Sequence, residues 1–130
     1  MLTGCYKITS AYANIKGVFT NTNPVDAYRG AGRPEASYVI ERLVDKAADD
    51  LGIDPLELRI KNFVQPDEIG KNEGSVLPFD SCDFQKTTEM SIVNSSYNDF
   101  LERKKTEDGN SLKGIGVSYY VERTQGEGSE

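Results

Sequence analysis

Asn21-Thr-Asn-Pro-Val-Asp-Ala-Tyr-Arg-Gly-Ala-Gly-Arg-Pro-Glu-Ala36 is a polar loop that closes on Gly-x-Gly-Arg-Pro and runs directly into an amphipathic helical pattern. Pro34 suits the first helical position, and Glu35 suits the positive helix end. Gly30 and Gly32 permit positive φ or a close backbone approach, while Arg29 and Arg33 add positive charge. Such a junction can turn backbone amides and a helix end toward an anion. The same spacing also serves a plain turn and cap. It matches neither common phosphate motif, because the third glycine of a dinucleotide fingerprint is missing and no Lys-Ser/Thr pair follows.

Downstream, Ala36, Val39, Ile40, Leu43, Val44, Ala47 and Leu51 recur at three- and four-residue steps. Glu41, Arg42, Asp45, Lys46, Asp49 and Asp50 take the other face, so the spacing predicts a helix that stops at Gly52. Asp54-Pro-Leu-Glu57 starts a second helix in capping-box order, with Leu56, Ile60 and Phe63 toward the core. Upstream, Tyr6, Ile8, Tyr12, Ile15, Val18 and Phe19 alternate imperfectly, which predicts two short strands about a turn at Asn14 to Gly17.

Residues 65–80 read as a surface loop, with Lys71 and Glu73 solvated. Phe84, Met90, Val93, Tyr97, Phe100 and Leu101 then suggest a third helix, and Arg103 to Lys105 complement its C-terminal end. Leu112 to Val121 alternates like a strand. The expected fold is α+β, a small antiparallel sheet from the first and last segments with about three helices packed mainly on one side. The expected organisation is a single α+β domain over residues 1–122 and a disordered tail over 123–130.

Composition narrows function by exclusion. The 130 residues hold no histidine, which removes histidine acid-base catalysis, Ser-His-Asp triads and histidine-containing zinc sites. A net charge of -6 and a pI near 4.7 do not suit a nucleic-acid platform or an anionic membrane surface. Cys5 and Cys82 form no Cys-x-x-Cys pair and read as reduced thiols, packed rather than reactive. No apolar run spans a bilayer and no secretory signal is present, so a cytoplasmic location is expected.

The wording of three segments is more specific than their spacing. Ala27-Tyr-Arg-Gly-Ala-Gly-Arg-Pro-Glu-Ala36, Tyr38-Val-Ile-Glu-Arg-Leu43 and Leu51-Gly-Ile-Asp-Pro-Leu-Glu-Leu-Arg-Ile-Lys-Asn-Phe63 together resemble the large subunit of molybdenum hydroxylases. That family comprises xanthine dehydrogenase, aldehyde oxidoreductases and aerobic carbon monoxide dehydrogenase. The resemblance runs from Gly4-Cys-Tyr-Lys-Ile8 to Lys113-Gly-Ile-Gly-Val-Ser-Tyr-Tyr-Val-Glu122, as a small internal part of such a subunit.

The resemblance implies a molybdopterin site, with Arg29, Gly30 and Gly32 at the cofactor and Ala31 in the substrate pocket. Where the purine-oxidising branch stacks an aromatic ring on substrate, Ala31 has none, which disfavours planar purines. Where copper-dependent carbon monoxide dehydrogenases place a cysteine, Gly30 offers no thiolate, so copper-dependent oxidation is not supported. An aldehyde or heterocycle hydroxylase using water remains, its catalytic glutamate and distal pterin segments expected outside this chain. No catalytic residue and no metal ligand is assigned here, and the chain alone is expected to be inactive and to hold no cofactor.

The implied cofactor is molybdopterin with molybdenum, as the cytosine dinucleotide, in the full assembly. The implied partners are the remainder of the large subunit and iron-sulfur and FAD subunits or domains, with self-association through exposed apolar surface and no nucleic acid. The alternative is a stand-alone structural or interaction domain derived from that subunit.

Overall fold

The computed structural model describes residues 3–69, 79–106 and 113–121, apart from the side chains of 105 and 106. The helices are α1 (Arg33–Leu51), α2 (Pro55–Asn62), α3 (Phe84–Asn94) and α4 (Tyr97–Thr106), with a 3-10 turn at Pro66–Glu68. Lys71, Glu73, Leu112, the tail over 123–130 and the Lys105 side chain lie outside the described residues.

The expected antiparallel sheet is absent among the described residues. A single antiparallel bridge joins Tyr6 to Phe63, and neither 7–27 nor 113–121 forms a strand. Strands exist only as pairs, because backbone N–H and C=O groups need a neighbouring ladder. Residues 10–28 are all exposed, and no segment among the described residues pairs with them to supply one. The alternation near Val121 has another use, since Tyr119 and Val121 pack their side chains against the core without ladder bonds.

The helices also depart from the expected three. The third pattern divides at Ser96, which takes a left-handed φ of 52°. Ser96 N–H donates to the Val93 carbonyl at 3.3 Å, and its own carbonyl accepts from Phe100 N–H at 3.0 Å, opening α4. Asn94-Ser-Ser96 is a run of weak helix formers whose side chains compete for backbone bonds, which locates the break. Met90 and Val93, which marked the expected helical spacing, are exposed, whereas Thr88 is buried and its hydroxyl bonds that of Tyr119.

The α1–α2 hairpin follows the sequence closely. Gly52 is left-handed at φ 65°, and Ile53 N–H reaches back to the Ala48 carbonyl at 3.0 Å, closing α1 in a Schellman-type turn. The Asp54 carboxylate accepts from Leu56 and Glu57 N–H at 2.9 and 3.0 Å, and Pro55 occupies the first turn. Leu56 and Phe63 are buried as expected.

The core centres on Cys5, Tyr6, Ile40 and Phe63. The Phe63 ring stacks on Tyr6 at 6.0 Å, meets Phe84 at 5.8 Å and meets Tyr119 edge-on at 4.8 Å. One residue at the end of α2 therefore gathers the N-terminal segment, α3 and the 113–121 segment.

Candidate functional site

Two successive turns build the entry to α1. Ala31 N–H donates to the Tyr28 carbonyl at 2.8 Å and Arg33 N–H to the Gly30 carbonyl at 3.2 Å. Each turn has glycine at its third position, with φ 85° at Gly30 and 88° at Gly32, the signature of type II turns. A Cβ at either position would meet nothing within 4 Å, so backbone conformation rather than crowding calls for glycine. Ala36 N–H then donates to the Gly32 carbonyl at 3.0 Å, the first helical bond.

These bonds refine the anion-facing expectation. The amides of Ala31 and Arg33 are engaged by turn carbonyls and Pro34 has no N–H. Gly32 caps α1 without a side chain. What the junction offers an anion is therefore the helix end and the exposed side chain of Arg29 more than a ring of amides. Arg29, Ala31 and Gly32 are exposed and Gly30 is half-buried, all on one contiguous turn. A groove of about 390 Å³ lies farther along the hairpin, among Ile40, Leu43, Ala47 and Leu51, and the turn contributes nothing to its lining. Among the described residues no group of three or more Cys, Asp or Glu could hold a metal ion.

A buried polar cluster escaped the sequence reading, which put Glu41 on the solvent face. Arg59 is fully buried, and its Nε donates to Glu41 Oε2 at 2.9 Å. Its Nη2 meets Asp45 Oδ1 at 2.8 Å and the Glu41 carbonyl at 3.2 Å, while Nη1 donates to the Pro55 carbonyl at 3.1 Å. Tyr6 Oη donates to Glu41 Oε1 at 2.6 Å. Glu41 thus ties the N-terminal segment and α2 to α1, the helix that carries the glycine turns. Ala48, seven residues on and also buried, shares a face of α1 with Glu41, whereas the sequence reading had put Ala47 on the apolar face. Burial raises the Tyr6 hydroxyl pKa, and the bond to Glu41 adds to it. Burial, reinforced by the Glu41 carboxylate, pushes the Cys5 thiol up to about 12. Cys5 and Cys82 are both free thiols.

Residues 1–63 match the family described as the molybdopterin cofactor-binding domain. The chain is 32% identical over 125 residues to the carbon monoxide dehydrogenase large chain of Hydrogenophaga pseudoflava, covering 92% of this chain and 16% of that one. It is 28% identical over 127 residues to the 6-hydroxypseudooxynicotine dehydrogenase complex subunit gamma of Paenarthrobacter nicotinovorans, again covering 92% and 16%. The structure of reconstituted CO dehydrogenase from Oligotropha carboxidovorans aligns with a TM-score of 0.51 and 29% identity, over 55% of this chain and 9% of that one. The chain therefore spans about a sixth of the length of these curated relatives. Among the described residues, no helix is long and apolar enough to cross a membrane.

Proposed function

The chain belongs to the molybdopterin-binding large-subunit family of molybdenum hydroxylases, and from that membership we propose that its Tyr28–Gly32 turn forms part of the wall of a molybdopterin site in an assembled oxidoreductase. The observation that carries this reading is the double glycine turn with open space over both Cα atoms, set at the positive end of α1 beside an exposed arginine. That arrangement fits an anionic, bulky group, which needs room at the backbone and positive charge next to it.

Arg29 would offer its guanidinium donors to oxygen atoms of the cofactor, and Gly30 and Gly32 would let it approach the backbone. Ala31 would leave the substrate side open, without an aromatic face for a planar purine. When bound, the cofactor supplies two-electron oxidation that hydroxylates an aldehyde or heterocycle with oxygen from water. The contribution of this chain is orientation: the buried Glu41–Arg59 cluster fixes α1 against α2 and thereby holds the turn that α1 carries. Copper-dependent carbon monoxide oxidation is not supported, because Gly30 has no side chain with which to hold a soft metal. The cytosine dinucleotide form and partner chains carrying iron-sulfur and flavin groups complete the reading.

Metal and pterin analysis tests it. The chain purified alone is expected to carry neither, and the chain purified with the remaining large-subunit segments is expected to retain molybdenum. Arg29→Ala in that assembly is expected to lower molybdenum and pterin content several-fold with helical content unchanged. Equal loading of the variant would remove Arg29 from the site.

A further inference from the structure

The groove of about 390 Å³ runs beside α1, and its walls are almost wholly apolar. Leu43, Ala47 and Leu51 recur along it at four-residue steps, one ridge of the helix, and Leu58 of α2 also lines it. Ala47 makes a low point between two leucines, where a ridge of a second helix can seat. Leu43 and Leu51 keep 59% and 63% of their surface exposed. Soluble proteins leave few contiguous apolar surfaces uncovered, and those they leave mark contacts. The rest of the described chain lies elsewhere: Phe84 and Tyr119 pack on Phe63, Val121 packs on the core, and no described residue after Asn62 lines the groove.

We propose that this groove seats an apolar helix from the remainder of the large subunit, so that α1 and α2 form an inner wall of a larger body. Two observations commit the groove to that occupant. Every residue that lines it, from Tyr6 to Asn62, falls within residues 1–63, the span that matches the family. A face built from the family's own span calls for a cover that the family also carries. The matched part is 16% of the length of each of two curated relatives, which leaves most of a large subunit to supply that cover. The ridge of Leu43, Ala47 and Leu51 sets its form, since side chains at helical steps pack best against others at helical steps. The inference rests on the reading of the chain as part of an assembled large subunit, and on neither Arg29 nor the cofactor.

Isothermal titration calorimetry of the full chain against the remaining large-subunit segments tests the seat, with both made in a host that produces no molybdopterin. Leu43→Asp and Leu51→Asp are each expected to weaken binding at least tenfold. Both side chains are exposed in the chain by itself, so helicity by circular dichroism should be unchanged. Val93→Asp makes the same exchange at an exposed position of α3 outside the groove and is expected to leave binding unchanged. Binding indifferent to both groove substitutions, or no binding at all, would overturn the seat. So would a dimer of the chain, seen by sedimentation equilibrium, that both groove substitutions dissolve, since the groove would then belong to a second copy. Because no cofactor is present, failure of the molybdopterin reading would appear only in later loading, with binding and its loss in the groove variants intact.

Discussion

The α1–α2 hairpin and the stretch from residue 9 to Gly32 are neighbours in sequence and opposites in how they are held. The hairpin is tied by the Glu41–Arg59 pair, the Tyr6 hydroxyl, a Schellman-type closure and an Asp54 cap, each engaging a different atom. Between Thr9 and Gly32, shape rests on backbone turns at two positive-φ glycines, and nearly every side chain faces solvent. The contrast is that of a rigid scaffold and a presented loop, in which binding residues sit where few local interactions constrain them. The cofactor-facing candidates thus have their position set by α1 while their side chains stay open to whatever covers them.

The sharpest way to break this contrast is to damage the hairpin. Arg59→Ala would leave the buried Glu41 carboxylate facing a void without its counter-charge, while Asp45 keeps only its longer contact to Arg42. Removing one member of a buried pair costs about 3–5 kcal/mol. For a chain of this size that is a large share of total stability. Urea unfolding followed by circular dichroism should show the midpoint collapse, with much of the population unfolded at zero denaturant. A loss below about 1 kcal/mol would mean that apolar contacts at Phe63 hold the hairpin without the charge cluster.

A smaller effect tests the same core through pH. The Cys5 thiol, held at about 12 by burial and by Glu41, has an ordinary value of 9.0. Because the folded value lies above the unfolded one, the stabilisation is complete below pH 9. It is lost as pH rises from 9 toward 12, since only the unfolded chain releases the proton there. From pH 8 to pH 10 this group should cost about 1.4 kcal/mol. Urea midpoints at the two pH values measure it, and Cys5→Ala should flatten the slope by that amount. An identical slope in the variant would assign the alkaline loss elsewhere, with Tyr6, also raised by burial, next in line.

How much of this was legible in the sequence follows the same division. Local signals read largely true: α1 opens at Arg33, one residue before the Pro34 expected there, Gly52 closes it, Asp54 caps α2, and the glycines of the turn take positive φ. What failed was non-local. Whether an alternating segment becomes a strand depends on a partner ladder, and neither 7–27 nor 113–121 finds one among the described residues. Glu41 looked solvent-facing because its partners lie 35 residues upstream and 18 downstream. The apolar face of α1 was read only in part, since Val39 is exposed and the buried alanine is Ala48 rather than the expected Ala47. Ile40 and Ala48 are buried, whereas Leu43 and Leu51 remain exposed along the groove. At the candidate site, the residue types were readable, but the engagement of the Ala31 and Arg33 amides within the turns was not.

The smallest expected effect sharpens the contrast most, because it separates holding from presenting. Arg29 is exposed, and the turn around it is closed by backbone bonds from Ala31 and Arg33 that do not involve its side chain. Arg29→Ala should therefore change the unfolding free energy of the chain by less than about 0.5 kcal/mol, the usual range for surface positions. A cost above about 1 kcal/mol in the isolated chain would show that the arginine props the turn against α1, so that the loop belongs to the scaffold. In that event a loss of molybdenum in the assembled variant could come from a displaced turn. A near-zero cost assigns any such loss to the guanidinium itself, since the backbone that carries it would be unchanged.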